Sequence, residues 1–320
     1  MKKNKILFII LLLISLLITI KLLVGKTHHK ITILDERFLT YPNKNGIEFG
    51  GISDIAYDIK NKKLYLIGDR STFFILETNF DNKINELKYL SAYKILRDKN
   101  QKDRYNLATY DSEGLTVTPS GKIIIAHERI AGVIEISPIA KILKSYNLPK
   151  KLQENKNYRD KNKMLESIAY HEKYGLLVAA EYPLKEDKMR EQTIYSLDGK
   201  EWHFESEKHQ NSAVTAIEVM EDGNLLVLER SYKGYLKPMR IILKKVYLDS
   251  CDKERHCKSE YISSFNSLKG DGFNNFEGLT RVSKNRYMMI SDNNGYRLLP
   301  TKLIYFSINS SSLQSRLQKS

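Results

Sequence analysis

The chain has 320 residues, of which 42% are hydrophobic, and a formal net charge of +14 at neutral pH. Residues 1–30 hold six lysines and no acid, which leaves 46 of the 52 basic residues against all 38 acidic ones in the remainder. Much of that moderate excess lies in two polar loops, 98–109 and 149–163, which lack the interleaved aromatic residues of a nucleic-acid platform, so we expect no nucleic-acid partner.

The first segment of the chain has the features of an export signal. Basic residues 1–5 precede an apolar run, 6–20, and neither a small-residue cleavage pattern nor a following Cys for lipid attachment is present. We therefore expect residues 1–30 to form an uncleaved transmembrane helix, with cleavage and secretion as the alternative. The N-terminal lysines would keep that end in the cytoplasm and place the rest of the chain on the periplasmic or extracellular side.

A hairpin pattern then recurs five times. Each copy predicts an apolar strand, a short turn and a second apolar strand that ends on an acidic residue, with 14 to 16 positions between its opening and closing residues. The opening residues are Ser53, Glu113, Glu166, Thr215 and Glu277, and the closing residues are Asp69, Glu128, Glu181, Glu229 and Asp292. In an antiparallel hairpin these two positions are neighbours at the end opposite the turn.

Further strand-like segments follow each hairpin, which gives units of four strands. The openings recur every 49 to 62 residues, a period typical of propeller blades. The last unit has three strands of its own, ending in Lys302 to Ile308, and we expect Ile31 to Leu39 to supply the fourth and close the ring. The sequence thus predicts an all-β propeller over residues 31–310, with five blades, or six if one blade has lost the pattern, followed by a polar tail, 311–320.

The alternating strands place the opening and closing residues, together with every long connection, at one end of the ring, which we call the acidic face. Eight carboxylates are expected there, with Asp54 as a ninth, and Arg70, Arg129 and Arg230 directly follow three of them. Carboxylates that lie so close together must be protonated in part or bind a cation. Ca²⁺ suits irregular oxygen clusters better than Mg²⁺. The alternative is that each acid bonds the backbone of the next blade and only holds the ring together.

Two cysteines lie further along the chain. Cys251 and Cys257 enclose a short polar stretch, for which a local disulfide is the natural interpretation in an oxidising compartment. Two unpaired thiols are the alternative. A metal site is not expected, because no second ligand pair has a recognisable spacing.

Five short segments resemble the phytase-like family, the esterase-like propeller domains of exported bacterial proteins. They are 50–58, 64–70, 111–115, 165–169 and 275–281, and the resemblance extends from about residue 45 to 305. It implies a β-propeller with recurrent Asp and Glu residues suspected of phosphoester hydrolysis. Thr215 departs from the pattern, because a Glu would be expected there, and this argues against a symmetric use of all blades.

A phosphoester hydrolase needs a metal ion to neutralise phosphate charge and activate water, and cations to hold the substrate. On this hypothesis the substrate is a small phosphorylated molecule and the cofactor a divalent metal, foremost Ca²⁺. The catalytic candidates are Glu113, Glu166 and Glu277, the metal-ligand candidates are Asp69, Glu128, Glu181, Glu229 and Asp292, and the phosphate-binding candidates are Arg70, Arg129 and Arg230. The alternative is a non-catalytic propeller that binds a protein, glycan or small ligand at the cell envelope.

Overall fold

The computed structural model describes residues 30–96, 111–208, 212–231, 239–266, 274–293 and 300–309. These residues form five antiparallel sheets of four strands each. Helix in the described ranges is limited to α1, Lys150–Gln153, and a single 3₁₀ turn, Asn155–Asn157. The prediction of an all-β propeller is confirmed, with five blades in the described part of the chain.

Blades 1 to 4 each use four consecutive strands. Blade 1 contains β2 (Ile52–Asp58), β3 (Lys63–Gly68), β4 (Thr72–Phe80) and β5 (Ile84–Lys94). Blade 2 contains β6 (Asp111–Val117), β7 (Ile123–Glu128), β8 (Gly132–Ile136) and β9 (Ile142–Tyr146). Blade 3 contains β10 (Leu165–His171), β11 (Gly175–Ala180), β12 (Glu191–Ser196) and β13 (Glu201–Glu205). Blade 4 contains β14 (Ser212–Val219), β15 (Leu225–Ser231), β16 (Arg240–Cys251) and β17 (Cys257–Asn266).

Blade 5 combines strands from both ends of the described chain. It contains β18 (Asn275–Ser283), β19 (Arg286–Asp292), β20 (Thr301–Ile308) and β1 (Ile31–Leu39). β1 pairs antiparallel with β20, from Ile31 opposite Ile308 to Leu39 opposite Thr301. The predicted membrane anchor and polar tail lie outside the described residues. Within the described ranges, no helix is long and apolar enough to cross a membrane.

The core lies between neighbouring blades. Their inner strands carry apolar side chains on both faces, because each blade is covered by another on either side. Leu66 and Phe74 of blade 1, for example, pack with Met288 and Leu303 of blade 5 in one buried cluster. The first strands of successive blades contact one another around the ring, so they surround its axis.

Two buried carboxylates join blades through backbone hydrogen bonds. Asp54 of blade 1 accepts the N–H of Leu115 in blade 2 at 2.7 Å and that of Leu279 in blade 5 at 3.1 Å. Glu218 of blade 4 accepts the N–H of Arg281 in blade 5 at 3.0 Å. For these two acids the ring-holding interpretation applies. Burial nevertheless raises the pKa of Asp54 well above its usual value.

The two cysteines form a disulfide, with an S–S distance of 2.08 Å. Cys251 and Cys257 end the paired part of β16 and β17, and the turn between them lies against the outer strand of blade 3, where His203 N–H donates to the Arg255 carbonyl at 2.8 Å. The bridge therefore shapes a turn that covers an exposed sheet edge, which would otherwise offer unpaired backbone groups.

Candidate functional site

Every blade has a β-bulge at the start of its first strand. The ladder between first and second strands shifts by one residue there, so that one residue of the first strand has no partner opposite it. The unpaired residues are Ser53, Glu113, Glu166, Thr215 and Glu277. A bulge turns a side chain away from the regular alternation of a strand, and bulges are enriched beside active sites. The opening positions of the repeat are therefore the bulged positions of the fold.

Glycines directly after two of these bulges allow the inner strands to approach closely. A Cβ on Gly278 of blade 5 would lie 2.9 Å from Cα of Asp54 in blade 1. A Cβ on Gly114 of blade 2 would lie 2.8 Å from Cα of Ser167 in blade 3. Because neighbouring backbones are in contact at this level, the acids that precede the glycines are held close to those of adjoining blades.

Three carboxylates of blade 2 form the tightest acidic group of the described residues. Asp111, Glu113 and Glu128 each offer an oxygen, and these atoms lie within 4.8 Å of one another. A Ca²⁺ ion is bound at about 2.3 to 2.6 Å from each oxygen, so two ligands on opposite sides of it are nearly 5 Å apart. Both the spacing and the chemistry of this donor set fit a hard divalent cation.

Glu113 and Glu166 stand among like charges, and neither forms an ion pair with a described residue. Burial raises the pKa of Glu113 well above its usual value, and the charges of Glu166, Glu128, Asp69 and Glu277 raise it further. The side chain of neither residue makes a hydrogen bond with another described residue. Such a site favours either a proton or a bound cation.

Burial likewise raises the pKa of Glu166 well above its usual value, and the nearby Glu181 and Glu277 add to that effect, whereas Arg230 opposes it. Glu128 is buried and accepts the N–H of Met164 at 3.2 Å. Burial raises its pKa to about 7, because the Met164 hydrogen bond offsets only part of the desolvation. The first strands enclose a central channel, and we call its end at the acidic face the mouth. The mouth thus holds several carboxyl groups that bind protons more tightly than usual.

Cations neutralise the other side of the mouth. Arg230 donates through Nη2 to Glu181 at 3.0 Å and contacts Glu277 through Nη1. Burial lowers the pKa of Arg230, but Glu277, Glu181 and Glu166 raise it by more. Lys163 donates to both Glu181 oxygens, at 2.9 and 3.0 Å. Glu181 and Glu277 are therefore paired, in contrast to Glu113 and Glu166.

The remaining predicted acids occupy three different environments. Asp69 is exposed and accepts a hydrogen bond from the Ser53 hydroxyl at 2.8 Å, and its charge raises the pKa of Glu113. Glu229 is fully buried in a separate ion pair with Lys244 at 2.9 Å. Asp292 is buried at the end of β19, opposite Asn275. Glu229 thus pairs with a lysine of the neighbouring strand and does not belong to the acidic group at the mouth.

The arginines differ in the same way. Arg129 is paired with Asp111, with Nε 2.6 Å from Oδ2. Arg230 is enclosed by two glutamates, as described above. Arg70 is exposed and makes no ion pair with a described residue. Among the three, Arg70 is the one whose charge is not already used by a described partner.

Sequence reasoning missed Asp111 and Lys163. Asp111 lies two residues before Glu113 in the first strand of blade 2, and this spacing was a usable signal. Lys163 ends a polar loop in which several lysines look alike, so only the fold shows that it reaches Glu181. Of the two polar loops predicted from the sequence, 149–163 is described, and 98–109 lies outside the described residues.

The fold and the site together define a class: a five-bladed β-propeller with a carboxylate-rich mouth at one end of its channel. Residues 47–295 match the Phytase-like family, described as "Esterase-like activity of phytase", and the chain belongs to that family. No curated protein matches the sequence.

Solved structures with a similar fold have low sequence identity to this protein. The aldose sugar dehydrogenase of Streptomyces coelicolor in its PQQ-bound form is 8% identical with a TM-score of 0.44, covering 87% of this chain and 98% of that chain. The virginiamycin B lyase of Staphylococcus aureus is 12% identical with a TM-score of 0.38, covering 87% and 100%. A protein of unknown function from Bacteroides caccae is 12% identical with a TM-score of 0.39, covering 80% and 75%. At these values the similarities transfer no activity to this chain.

Proposed function

We propose that this protein is a metal-dependent phosphoester hydrolase that acts at the mouth of its acidic channel. The observation that carries the proposal is the group Asp111, Glu113 and Glu128, whose oxygens lie within 4.8 Å of one another. Membership of the Phytase-like family supports a phosphoester as the substrate class.

In this proposal Asp111, Glu113 and Glu128 hold a divalent cation, foremost Ca²⁺. A cation bound there would neutralise phosphate charge and would lower the pKa of a water molecule. Arg129 holds Asp111 in place from the solvent side through its 2.6 Å ion pair. Asp69 borders the same mouth, and the hydrogen bond that it accepts from the Ser53 hydroxyl orients its carboxylate. The proposed metal ligands thus all lie in blade 2, whereas the candidates from the sequence were spread over all five blades.

Glu166 and Glu277 have separate roles in the proposed reaction. Burial and neighbouring carboxylates raise the pKa of Glu166 well above its usual value, which favours its protonated form, and in this proposal Glu166 gives a proton to the leaving oxygen. Glu277 holds Arg230 beside Glu166 and so keeps a positive charge at the mouth. Arg70, which has no ion-pair partner among the described residues, binds phosphate oxygens.

We further propose that the anchor in residues 1–30 attaches the propeller to the membrane, with the acidic face outside the cytoplasm. The apolar run after the N-terminal lysines supports this placement. The disulfide between Cys251 and Cys257 is consistent with an oxidising compartment.

The proposal is tested by an assay of the full chain, purified in detergent, with phosphomonoesters and phosphodiesters in Ca²⁺, Mg²⁺, Mn²⁺ or chelator. Turnover should need a divalent cation and should fall by about a hundredfold or more in Glu113→Gln, since a metal ligand is removed. Glu172→Gln, which changes an exposed acid on blade 3, is the control. No turnover with any cation would leave the non-catalytic envelope propeller as the function.

A further inference from the structure

A cavity of about 670 Å³ lies beside the acidic mouth, where blades 5 and 1 meet. One wall is the segment of residues 40–51, which joins β1 to β2 and which we call the rim segment. The other walls come from the ends of β3, β5 and β19 and the start of β20. Its volume is in the range of cavities that hold a drug-sized ligand.

The rim segment is fixed in place on both sides. Toward blade 1, Tyr41 donates to the Leu87 carbonyl at 3.1 Å, and Lys44 donates to the Tyr89 carbonyl at 2.7 Å. Toward blade 5, Gly51 N–H donates to the Asn293 side chain at 2.9 Å. The cavity is therefore formed before any ligand binds, which reduces the entropic cost of binding.

The cavity is continuous with the proposed active site through Asp69 and Arg70, which line it. Asp69 is close enough to Glu113 and Glu277 to influence the protonation of both. Lys94 also lines the cavity, and its Nζ donates to the Arg70 carbonyl at 2.8 Å. Burial and then the Arg70 charge lower the pKa of Lys94. Two neighbouring cations thus stand at the boundary between the mouth and the cavity.

Away from this boundary apolar side chains line part of the cavity, beside the polar Thr40, Asn43 and Glu48 of the rim segment. Tyr41 and Phe49 lie edge to face with ring centroids 5.0 Å apart, and both line the cavity together with Leu39, Ile47 and Pro300. Aromatic and aliphatic walls of this kind bind apolar rings by removing them from water. A ligand with a charged end at Arg70 and Lys94 and an apolar ring against Tyr41 and Phe49 would match both parts of the cavity.

We infer that this cavity binds the organic group of the substrate, and that the group is an apolar, ring-containing alcohol or phenol esterified to phosphate. The inference rests on the proposed function, since it places the phosphate at the mouth and the leaving group in the cavity. Arg70 and Lys94 contact those phosphate oxygens that do not face the cation held by the blade 2 carboxylates. Tyr41 and Phe49 contact the ring.

Two non-hydrolysable probes, phenylphosphonate and methylphosphonate, test this in the full chain by calorimetry with Ca²⁺ present. Phenylphosphonate should bind about tenfold more tightly, because only it places a ring in the cavity. Asn43→Trp, which fills the cavity from an exposed position on the rim segment, should abolish that difference and leave methylphosphonate binding unchanged. Arg70→Ala should weaken both probes by about tenfold, whereas Arg190→Ala, which changes a partly buried arginine just before β12 of blade 3, should weaken neither.

Equal affinity of the two probes, or an unchanged ring preference in Asn43→Trp, would overturn the inference, as would the absence of phosphonate binding. The proposed function fails separately. A chain that prefers phenylphosphonate through the cavity but hydrolyses no phosphoester would overturn the hydrolase assignment and support the cavity. Turnover with the same KM for phenyl and methyl phosphate would support the hydrolase and overturn the cavity.

Discussion

Arg230 of blade 4 donates a hydrogen bond to Glu181 of blade 3, with Nη2 3.0 Å from Oε1. The same guanidinium contacts Glu277 of blade 5 and donates to Asn275 at 2.8 Å. Three blades therefore meet at one arginine. The side chain of Glu181 is only 3% exposed and that of Glu277 13%, so both carboxylates have little water to solvate them. Removal of Arg230 would leave Glu181 with Lys163 and take from Glu277 its ion-pair partner among the described residues.

Arg230→Met should consequently destabilise the propeller by about 3 kcal/mol, the loss typical of breaking a buried ion pair. Lys88→Met removes the exposed ion pair with Glu77 and should cost at most about 1 kcal/mol. Urea unfolding of the two variants measures the difference. Equal losses would show that the Arg230 network adds nothing beyond a surface ion pair.

Asp54 provides a second test of how the ring is held. Asp54→Ala removes the acceptor for Leu115 and Leu279 and should destabilise the protein by about 3 kcal/mol, since two buried N–H groups lose their partner. Asp58→Ala, in the same strand, loses only hydrogen bonds to Asn61 in the adjoining turn and should cost about 1 kcal/mol. Thermal unfolding compares the two, and a smaller loss in Asp54→Ala would contradict the linking role.

Glu218 should make stability depend on pH. Burial raises its pKa from 4.5 to about 7, despite the hydrogen bond from Arg281 N–H. Between these values the folded state binds more protons than the unfolded state, so stability falls as the pH rises and the loss is complete above about pH 7. From about pH 5 to about pH 8, Glu218 should account for a loss of about 2 kcal/mol.

Urea unfolding at the two pH values checks this prediction. Glu218→Gln should reduce the fall in stability, because its amide does not titrate. Glu221→Gln, which alters an exposed acid in the following turn, should retain the parent's fall. A Glu218→Gln protein that loses as much stability as the parent would show that this carboxyl does not titrate in that range.

The blades could be predicted from the sequence because the hairpin repeat is local. Its opening and closing residues are neighbours through antiparallel pairing alone, and all five hairpins carry the same sequence pattern of an acid closing an apolar strand. The bulges could not be predicted in this way. A spacing of 14 to 16 residues accommodates either a longer turn or a bulge, and only the register of the ladder shows that Glu113 is the extra residue.

The roles of equivalent acids could not be predicted either, because those roles depend on neighbouring strands. Glu181 and Glu229 both close their hairpins in the sequence, yet the ladder places Glu229 opposite Val214, which is the position of Ala180 in blade 3, so that Arg230 is the equivalent of Glu181. Glu229 therefore meets Lys244 from β16, whereas Glu181 meets Arg230 from the next blade. Asp54 lies one residue after an opening position and joins three blades. Such contacts join residues that are far apart in the sequence, and a single sequence does not encode them in any local pattern.

Calcium binding to the full chain tests the central claim most directly. Titration calorimetry should show a site that is weakened by about tenfold or more in Glu113→Gln, because one of three clustered carboxylates is lost, and that is unchanged in Glu172→Gln. The same affinity in the parent and in Glu113→Gln, or no binding by the parent, would contradict a cation site formed by Asp111, Glu113 and Glu128.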